Sequence, residues 1–174
     1  MIALRATLVT LVLTGLAYPL FTTAVALAIF PDRARGSIVT TDDGRVVGSE
    51  LIAQAFTGPG YLQPRPSAVN YDGAGSGGSN LGPTSKALHD RIAASAGPLE
   101  LRTTSASGLD PHLSPEAALW QLPRIAAARG VAPERVRTII EAHVEGRDLG
   151  ILGEPRVNVL LVNLALDRHF GRLR

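Results

Sequence analysis

The sequence predicts an α+β protein in which one N-terminal transmembrane helix is followed by one small soluble domain. The first observation is an uncharged apolar run over residues 6–30, which is long enough to cross a bilayer as a helix. The second is the remainder of the chain, where short β-branched segments alternate with amphipathic helical patterns. We therefore predict a transmembrane anchor over residues 1–35 and a soluble α+β domain over residues 36–174, with helices packed on a small antiparallel sheet.

The apolar run is interpreted as a retained anchor, and a cleaved secretory signal is the alternative. Small residues two positions apart, as at Ala24–Ala26 and Ala26–Ala28, fit a cleavage site. The run is nevertheless longer than the roughly 7–15 residues of a signal core, and it continues past these positions to Phe30. Pro19 lies near the middle of the run and removes one helical hydrogen bond, which predicts a kink.

Composition excludes several classes of function. The 174 residues carry a net charge of +2 and contain no basic run, so a nucleic-acid partner is not expected. The chain has no cysteine, which excludes disulfides and thiolate metal sites. Charge does not fix the membrane orientation, because Arg5 on one side of the apolar run nearly balances Arg33 and Arg35 on the other.

The first part of the predicted soluble domain is a β-hairpin followed by a short helix. Residues 37–41 are rich in β-branched side chains, Asp43-Gly44 is a tight-turn sequence, and residues 45–47 return as a second strand. Ser49 is suited to cap a helix that runs to Phe56.

Residues 61–83 form the least regular stretch and are rich in glycine, serine and proline. A loop of this length inside a compact domain is usually either functional or disordered. A flexible linker is one interpretation. Tyr61, Tyr71 and Leu81 interrupt the glycines with side chains able to anchor the backbone, so we favour an ordered loop that carries an interaction.

The second half of the domain is predicted to be mainly helical. One helix is expected over residues 84–95, followed by a half-buried strand over residues 99–104, where apolar and polar side chains alternate. Residues 114–116 combine a serine cap, a proline at the first helical position and an acid in the first turn. The helix that starts there is expected to end at Gly130 and to kink or break at Pro123.

Two further helices are predicted near the C-terminus. Pro133 opens one of them, and its C-cap is expected at Gly146. Its buried face follows the i, i+3, i+4, i+7 pattern: Val136, Ile139, Ile140 and His143. Pro155 opens the last helix. The apolar face of that helix consists of Val157, Leu160, Leu161 and Leu164.

The stretch Gly73–Gly78 matches the G-x-G-x-x-G pattern of dinucleotide-binding loops, but the match is weak. That motif follows a buried strand, and residues 70–72 do not read as one. The sequence has no Walker A loop, because Ser85 rather than glycine precedes Lys86. Backbone N–H groups in such a loop can hold a phosphate or carboxylate, yet tight-turn geometry is the favoured explanation for the glycines.

No catalytic or metal site is predicted. The histidines lack the spacing of helical metal ligands, and no acid cluster accompanies them: His89, His112, His143 and His169. Ser107, Asp110 and His112 are the candidates for a hydrolase, although the members of a triad usually converge from distant segments. A membrane-tethered extracytoplasmic hydrolase or small-molecule-binding protein is therefore kept as the alternative function.

Four motifs in a fixed order carry a resemblance to one family. They are Arg65–Ala68, Ser76–Pro83, Ser107–Pro115 and Gly153–Leu160. Together with the single N-terminal anchor, they resemble the C subunit of the Kdp potassium-transporting P-type ATPase. The resemblance covers essentially the whole chain.

The resemblance implies a non-catalytic accessory subunit that supports assembly and stability of a high-affinity potassium uptake complex. Its partners would be a potassium-channel-like subunit, an ATP-hydrolysing P-type subunit and the lipid bilayer. The complex would handle ATP and potassium, and this chain would need no cofactor of its own. The implied location is the bacterial cytoplasmic (inner) membrane, with the soluble domain outside the cytoplasm.

The resemblance also implies a second possible role, that of a catalytic chaperone that raises the ATP affinity of the ATPase subunit. In that view, residues 76–79 are likened to the signature loop of ABC transporters. A domain outside the membrane cannot touch cytoplasmic ATP, so we favour partner contact over nucleotide binding. The residues implied for either role are Arg65, Ser76, Gly77, Gly78, Ser79 and Asn80.

Overall fold

A computed structural model gives the fold and describes residues 1–41 and 43–173. Contacts within the chain divide it into two compact units, Met1–Val47 and Gly48–Arg174. A long apolar N-terminal helix is followed by a small domain of helices and two small sheets. The predicted α+β class is confirmed, whereas the predicted domain boundary after residue 35 stays a prediction.

The first unit begins with 28 continuous helical residues, Ile2–Ile29, which are long and apolar enough to cross a membrane. Helix α1 spans Ile2–Val12, a π-helical turn spans Leu13–Ala17, and helix α2 spans Tyr18–Ile29. The predicted disturbance at Pro19 takes the form of this π turn, because proline lacks an N–H group and its ring crowds the carbonyl of the preceding turn.

The predicted hairpin comes next in the chain, and its second strand ends two residues beyond the first unit. Helix α3 (Pro31–Ala34) leads to strands β1 (Ile38–Thr40) and β2 (Val46–Ser49), which pair with each other. Gly44 has φ +78° in the turn, and its N–H donates to the Thr41 carbonyl oxygen at 2.8 Å. The turn chemistry of Asp43-Gly44 therefore predicted this hairpin correctly.

The second unit carries the remaining helices and strands. Its helices are α4 (Lys86–Ala94), α5 (Leu99–Arg102), α6 (Pro115–Trp120), α7 (Leu122–Arg129), α8 (Pro133–Ala142) and α9 (Val159–Phe170). Its strands are β3 (His112–Leu113), β4 (Val144–Glu145) and β5 (Arg156–Asn158). They form an antiparallel sheet in the order β3-β5-β4, so that β5 lies in the centre and Val157 faces both Leu113 and Val144 in register.

The helices pack an aliphatic core on this sheet. Its fully buried large side chains come from strands, helices and the loop before them, namely Leu62, Leu113, Ile125, Val136, Ile140, Val157, Val162 and Leu166. Burial of such side chains is worth roughly 1.5–3 kcal/mol each, which makes this core the main source of stability.

Local sequence signals set several helix ends, and those at Ser114, Pro123 and Gly130 were predicted. Ser85 and Ser114 are N-caps whose hydroxyls accept the N–H groups of Leu88 and Ala117. The expected break at Pro123 falls at Gln121, between α6 and α7. Gly130 closes α7 in the left-handed conformation, with φ +63°.

The predicted helix over residues 49–56 is wrong, because the backbone groups of this stretch bond to distant segments. The Glu50 carbonyl accepts the Asn158 side-chain amide at 2.9 Å, and the Ala53 N–H donates to the Leu109 carbonyl at 2.9 Å. Ser49 does accept a local N–H, that of Leu51 at 3.1 Å, but no helix follows it.

Three other predicted details are also wrong. Residues 99–104 contain α5 rather than a strand, and the Glu100 carboxylate accepts the Ser114 N–H at 3.1 Å. Helix α8 ends at Ala142, so Gly146 is not its cap. Helix α9 begins at Val159 rather than Pro155 because strand β5 intervenes and Asn158 provides the cap.

That later start rotates the buried face of α9. The predicted face contained Leu161 and Leu164, which are only half-buried. The observed face consists of Val159, Leu160, Val162, Asn163, Ala165 and Leu166. A buried asparagine in this face is the feature that matters for the rest of the unit.

Asn163 and Gln121 hold the backbone of two consecutive residues outside any helix or strand. Asn163 accepts the Leu62 N–H at 2.7 Å and donates to the Leu62 carbonyl at 2.8 Å. Gln121 accepts the Gln63 N–H at 3.0 Å and donates to the Gln63 carbonyl at 2.9 Å. Each buried side-chain amide thus makes the two backbone hydrogen bonds that a neighbouring strand would otherwise make.

Two arginines complete the bonding of this stretch, which we name the threaded segment (residues 59–63). Arg124 donates to the carbonyls of Pro59 and Tyr61, and Arg129 donates to the Gly60 carbonyl at 2.7 Å. All five carbonyls of the threaded segment therefore accept a side-chain donor. Burial lowers the pKa of the Arg124 guanidinium from its usual range.

Arg129 is itself held in place by a nearly buried ion pair. It donates to the Asp167 carboxylate at 2.8 Å, and its guanidinium lies 4.9 Å from the centre of the Tyr61 ring. The Tyr61 hydroxyl donates to the other Asp167 oxygen at 3.1 Å. Burial, followed by the Asp167 charge, raises the pKa of Tyr61 and keeps this hydroxyl protonated.

Replacing Asn163 by leucine tests the role of these amides. Asn163→Leu would leave the buried N–H and carbonyl of Leu62 without partners, at about 1–3 kcal/mol for each group. Urea unfolding of the full chain in detergent should show a loss of about 2–6 kcal/mol. Thr138→Leu, on the exposed face of α8, is the control and should change stability by less than about 0.5 kcal/mol. Equal effects of the two variants would contradict the assignment.

Candidate functional site: the glycine loop

The glycine loop (residues 72–80) lies against a second loop, the serine turn (residues 105–108). The Gly77 N–H donates to the Ser107 carbonyl at 2.9 Å, and the Ser76 hydroxyl donates to the same oxygen at 3.1 Å. Two of the six predicted site residues therefore bond to the serine turn through one carbonyl.

Glycine is required where these two loops touch. A Cβ atom on Gly78 would lie 2.9 Å from the Ala106 carbonyl oxygen. On the other side, Gly108 has φ +70°, and its Cβ atom would lie 2.8 Å from the Gly77 carbonyl oxygen. The backbones approach each other more closely than side chains permit, which accounts for glycine at both positions.

The same geometry disfavours an anion-binding nest in the glycine loop. Three of its N–H groups already have acceptors within the protein: Ala74 with the Asp72 carboxylate at 2.9 Å, Gly75 with the Asp72 carbonyl at 3.0 Å, and Gly77 with Ser107. A phosphate-binding loop needs such groups directed at its ligand. The favoured explanation from the sequence, tight-turn geometry, agrees with this bonding.

Tyr71 anchors the start of the glycine loop. Its hydroxyl donates to the Arg65 carbonyl at 3.0 Å, and its N–H donates to the Ser67 hydroxyl at 3.0 Å. Burial raises the pKa of Tyr71, so the hydroxyl remains a donor well above neutral pH. The idea that tyrosines order this stretch is thus borne out in its contacts.

Arg65 lines a cleft together with residues of the serine turn. Its guanidinium donates weakly to the Thr104 carbonyl at 3.5 Å and lies 3.6 Å from the Asp110 carboxylate. Its Nε atom is buried and has no hydrogen-bond partner within the described part of the chain. Arg65 is therefore a half-buried cation with donor capacity to spare.

An open cleft of about 540 Å³ adjoins Arg65 and the serine turn. Arg65 and Asp110 form its charged part. Its apolar part comes from Leu51, Ile52 and Leu109, the first two of which are exposed. A paired charge beside exposed aliphatic groups is typical of a protein contact surface rather than of a catalytic pocket.

Asn80 differs from Ser76, the other exposed polar residue of the predicted set, in making no hydrogen bond to the serine turn. It is exposed, has φ +53°, and its side chain has no partner among residues 1–41 and 43–173. Asparagine tolerates this left-handed conformation better than most residues. Ser79, beside it, is half-buried. Of the predicted residues, Ser76 and Gly77 thus bond to the serine turn, Gly78 approaches it closely, and Asn80 keeps an unbonded, exposed side chain.

The hydrolase alternative finds no support in the geometry. The Ser107 hydroxyl accepts the Leu109 N–H at 3.1 Å and lies 3.3 Å from the Ser105 hydroxyl. Asp110 accepts the backbone N–H of His112 at 3.0 Å, while the His112 ring nitrogen is 4.0 Å from that carboxylate. The Ser107 and Asp110 side chains thus bond to nearby turn backbone, and these contacts do not pair Ser107 as a nucleophile with His112 as a base.

No group of three or more metal-ligating side chains comes together in residues 1–41 and 43–173. Lys86, the only lysine in the sequence, forms an exposed pair with Asp90 one turn along α4 at 2.6 Å. A lysine in such a pair is not positioned as a phosphate clamp.

Sequence reasoning missed the residues that position the loop. Gln121, Asn163 and Arg129 were not singled out, although a polar residue within an apolar helical face, as at Asn163, is a recognisable signal of a buried hydrogen bond. Ser105 was missed as well, and its N–H donates to the Pro66 carbonyl at 2.9 Å. Its position in a serine-rich stretch gave no local signal.

Residues 1–41 and 43–173 thus contain one helix long and apolar enough to cross a membrane, followed by a small α+β domain whose glycine loop bonds to the serine turn. Residues 1–168 match the family model described as K+-transporting ATPase, c chain. The chain belongs to this family, KdpC. Its apolar helix and its family both fit a protein of the inner membrane.

Several curated relatives have the same family name. The chain is 61% identical to the "Potassium-transporting ATPase KdpC subunit" of Myxococcus xanthus, over 98% of this chain and 88% of the relative. It is 51% identical to the protein of that name from Methylobacterium nodulans, over 92% of each chain. The protein from Rhodopseudomonas palustris is also 51% identical, over 89% of this chain and 90% of the relative. The resemblance seen in the four motifs is confirmed.

Adding one methyl group to Gly78 tests the contact between the two loops. Gly78→Ala would bring Cβ to 2.9 Å from the Ala106 oxygen, and such overpacking costs about 1–3 kcal/mol. Gly82→Ala is the matched control because its Cβ meets open space. Thermal unfolding of the full chain should show a lower midpoint for the first variant only. A Gly78→Ala midpoint equal to that of the control would show that the loops do not require this close approach.

Proposed function

We propose that this chain is a non-catalytic accessory subunit that supports the assembly and stability of an ATP-driven potassium uptake complex. Membership of the KdpC family supports the proposal, since the curated relatives are named as subunits of a potassium-transporting ATPase. Its partners are then the potassium-channel-like subunit and the ATP-hydrolysing subunit of the same complex.

The bonding of the glycine loop is the observation that most supports an assembly role. Its Gly77 N–H is used by Ser107, and its glycines serve close backbone contact. What remains available is the Asn80 side chain, together with the Arg65–Asp110 pair and the apolar cleft beside the serine turn. Such groups suit hydrogen bonds and apolar contacts to a neighbouring subunit.

The proposal places the anchor in the inner membrane without cleavage and the domain outside the cytoplasm. Cytoplasmic ATP would then be out of reach of the glycine loop. Any increase in the ATP affinity of the ATPase subunit would be transmitted through contacts within the complex, by a coupling free energy between distant sites.

Removing the Asn80 side chain tests the assembly role without straining the backbone. Asn80→Gly keeps the left-handed conformation accessible and deletes only the exposed amide. Asn70→Gly is the matched control, since Asn70 is also exposed and has φ +52°. In complexes extracted with mild detergent, Asn80→Gly should lower the amount of this chain retained by about 5- to 10-fold, for one lost hydrogen bond of about 1–1.5 kcal/mol. Equal retention of the two variants would contradict a role for Asn80.

A further inference from the structure

An exposed apolar tip joins β4 to β5 in the second unit. We name residues 148–152 the hairpin tip. Leu149 is 89% exposed, Ile151 is 75% exposed and Leu152 is 55% exposed. Single exposed aliphatic residues are normal on protein surfaces, but three within four positions of one turn are a concentrated apolar surface.

The hairpin tip is held rigidly in this exposed form. Asp148 and Leu152 exchange two backbone hydrogen bonds, of 2.8 and 2.9 Å. Gly150 has φ +78°, and its N–H donates to the Arg147 carbonyl at 3.1 Å. Leu149 has φ +53°, a conformation that is uncommon for leucine. Leu149 therefore adopts a strained backbone conformation in which its side chain is exposed to solvent.

Ion pairs brace the base of the hairpin tip. Arg147 donates to the Glu154 carboxylate at 2.8 and 2.9 Å. Arg156 lies 3.0 Å from Glu145 and 3.4 Å from Asp148. Three carboxylates and two guanidiniums surround the apolar side chains, so the formal charge of this rim is −1.

This chemistry favours a protein partner over a lipid surface. Segments that enter the membrane interface carry excess lysine or arginine and often tryptophan. Residues 145–156 contain neither an excess of basic side chains nor any aromatic side chain. A rim of charge −1 also lacks the excess of basic side chains by which proteins bind anionic headgroups. A narrow, preorganised aliphatic projection with a polar rim has instead the form of an anchor that fills a pocket.

We propose that the hairpin tip docks into an apolar pocket on another protein subunit of the same ATPase complex. This inference rests on the proposed function, because it requires partner subunits. Leu149 and Ile151 fill the pocket, and the partner offers hydrogen-bond donors or a positive rim toward Glu154, whose side chain is 79% exposed. The contact uses residues different from those of the glycine loop, so the chain would hold its complex at two places.

Site-specific photo-crosslinking in the assembled complex identifies what covers the hairpin tip. A benzophenone amino acid is placed at Leu149 of the full chain, which is expressed together with the other subunits and extracted in mild detergent. Leu99, 60% exposed on α5, is the matched control position. Mass spectrometry of the irradiated complex should find an adduct with another subunit from position 149, in at least roughly tenfold excess over position 99. Position 151 is a second probe that does not depend on the strained backbone of Leu149.

The outcomes separate this inference from the proposed function. If the chain purifies with the other subunits but positions 149 and 151 give adducts only with lipid, only with a second copy of this chain, or none at all, the docking inference is overturned and the proposed function stands. If the chain does not purify with the other subunits, the proposed function fails and the inference fails with it.

Discussion

Five consecutive carbonyl groups, those of the threaded segment, lie outside any helix or strand of the second unit, and the segment is buried at Gly60 and Leu62. Each accepts a donor from Gln121, Arg124, Arg129 or Asn163. A buried polar group without a partner costs about 1–3 kcal/mol, whereas a whole domain is stable by only about 5–15 kcal/mol. Losing two or three of these bonds would therefore remove much of the stability, so the position of the threaded segment depends on α7, α9 and the junction at Gln121.

The glycine loop depends on the same arrangement because it follows the threaded segment closely in the chain. Once Leu62 and Gln63 are fixed, the next residues lead to Arg65, Tyr71 and the serine turn, where backbone bonds continue through Ser105 and Ser107. The loop is thus built before any partner arrives. A prebuilt contact surface loses little conformational entropy on binding, which suits the assembly role that we propose.

Local chemistry explains what the sequence predicted and what it did not. The Ser114 cap, the break at Pro123 and the left-handed Gly130 each depend on neighbouring residues, and each was predicted. The segment after Ser49 was wrongly predicted as a helix because Glu50 and Ala53 bond to residues more than fifty positions away. Strands β3, β4 and β5 have only two or three residues, too few for a periodic pattern. The glycine loop was recognised from its motif, but its bonded partner, the serine turn, could be known only from the fold.

The central claim is that the glycine loop is a structural element for partner contact and does not bind nucleotide by itself. Isothermal titration of the full chain in mild detergent with ATP tests this claim most directly. Because Lys86 is paired on α4 and the Gly77 N–H is bonded to Ser107, the account predicts no saturable binding below roughly 1 mM, a binding free energy weaker than about 4 kcal/mol. One-to-one binding with Kd near roughly 1 μM, about 8 kcal/mol, would contradict it and would require the domain to face the cytoplasm.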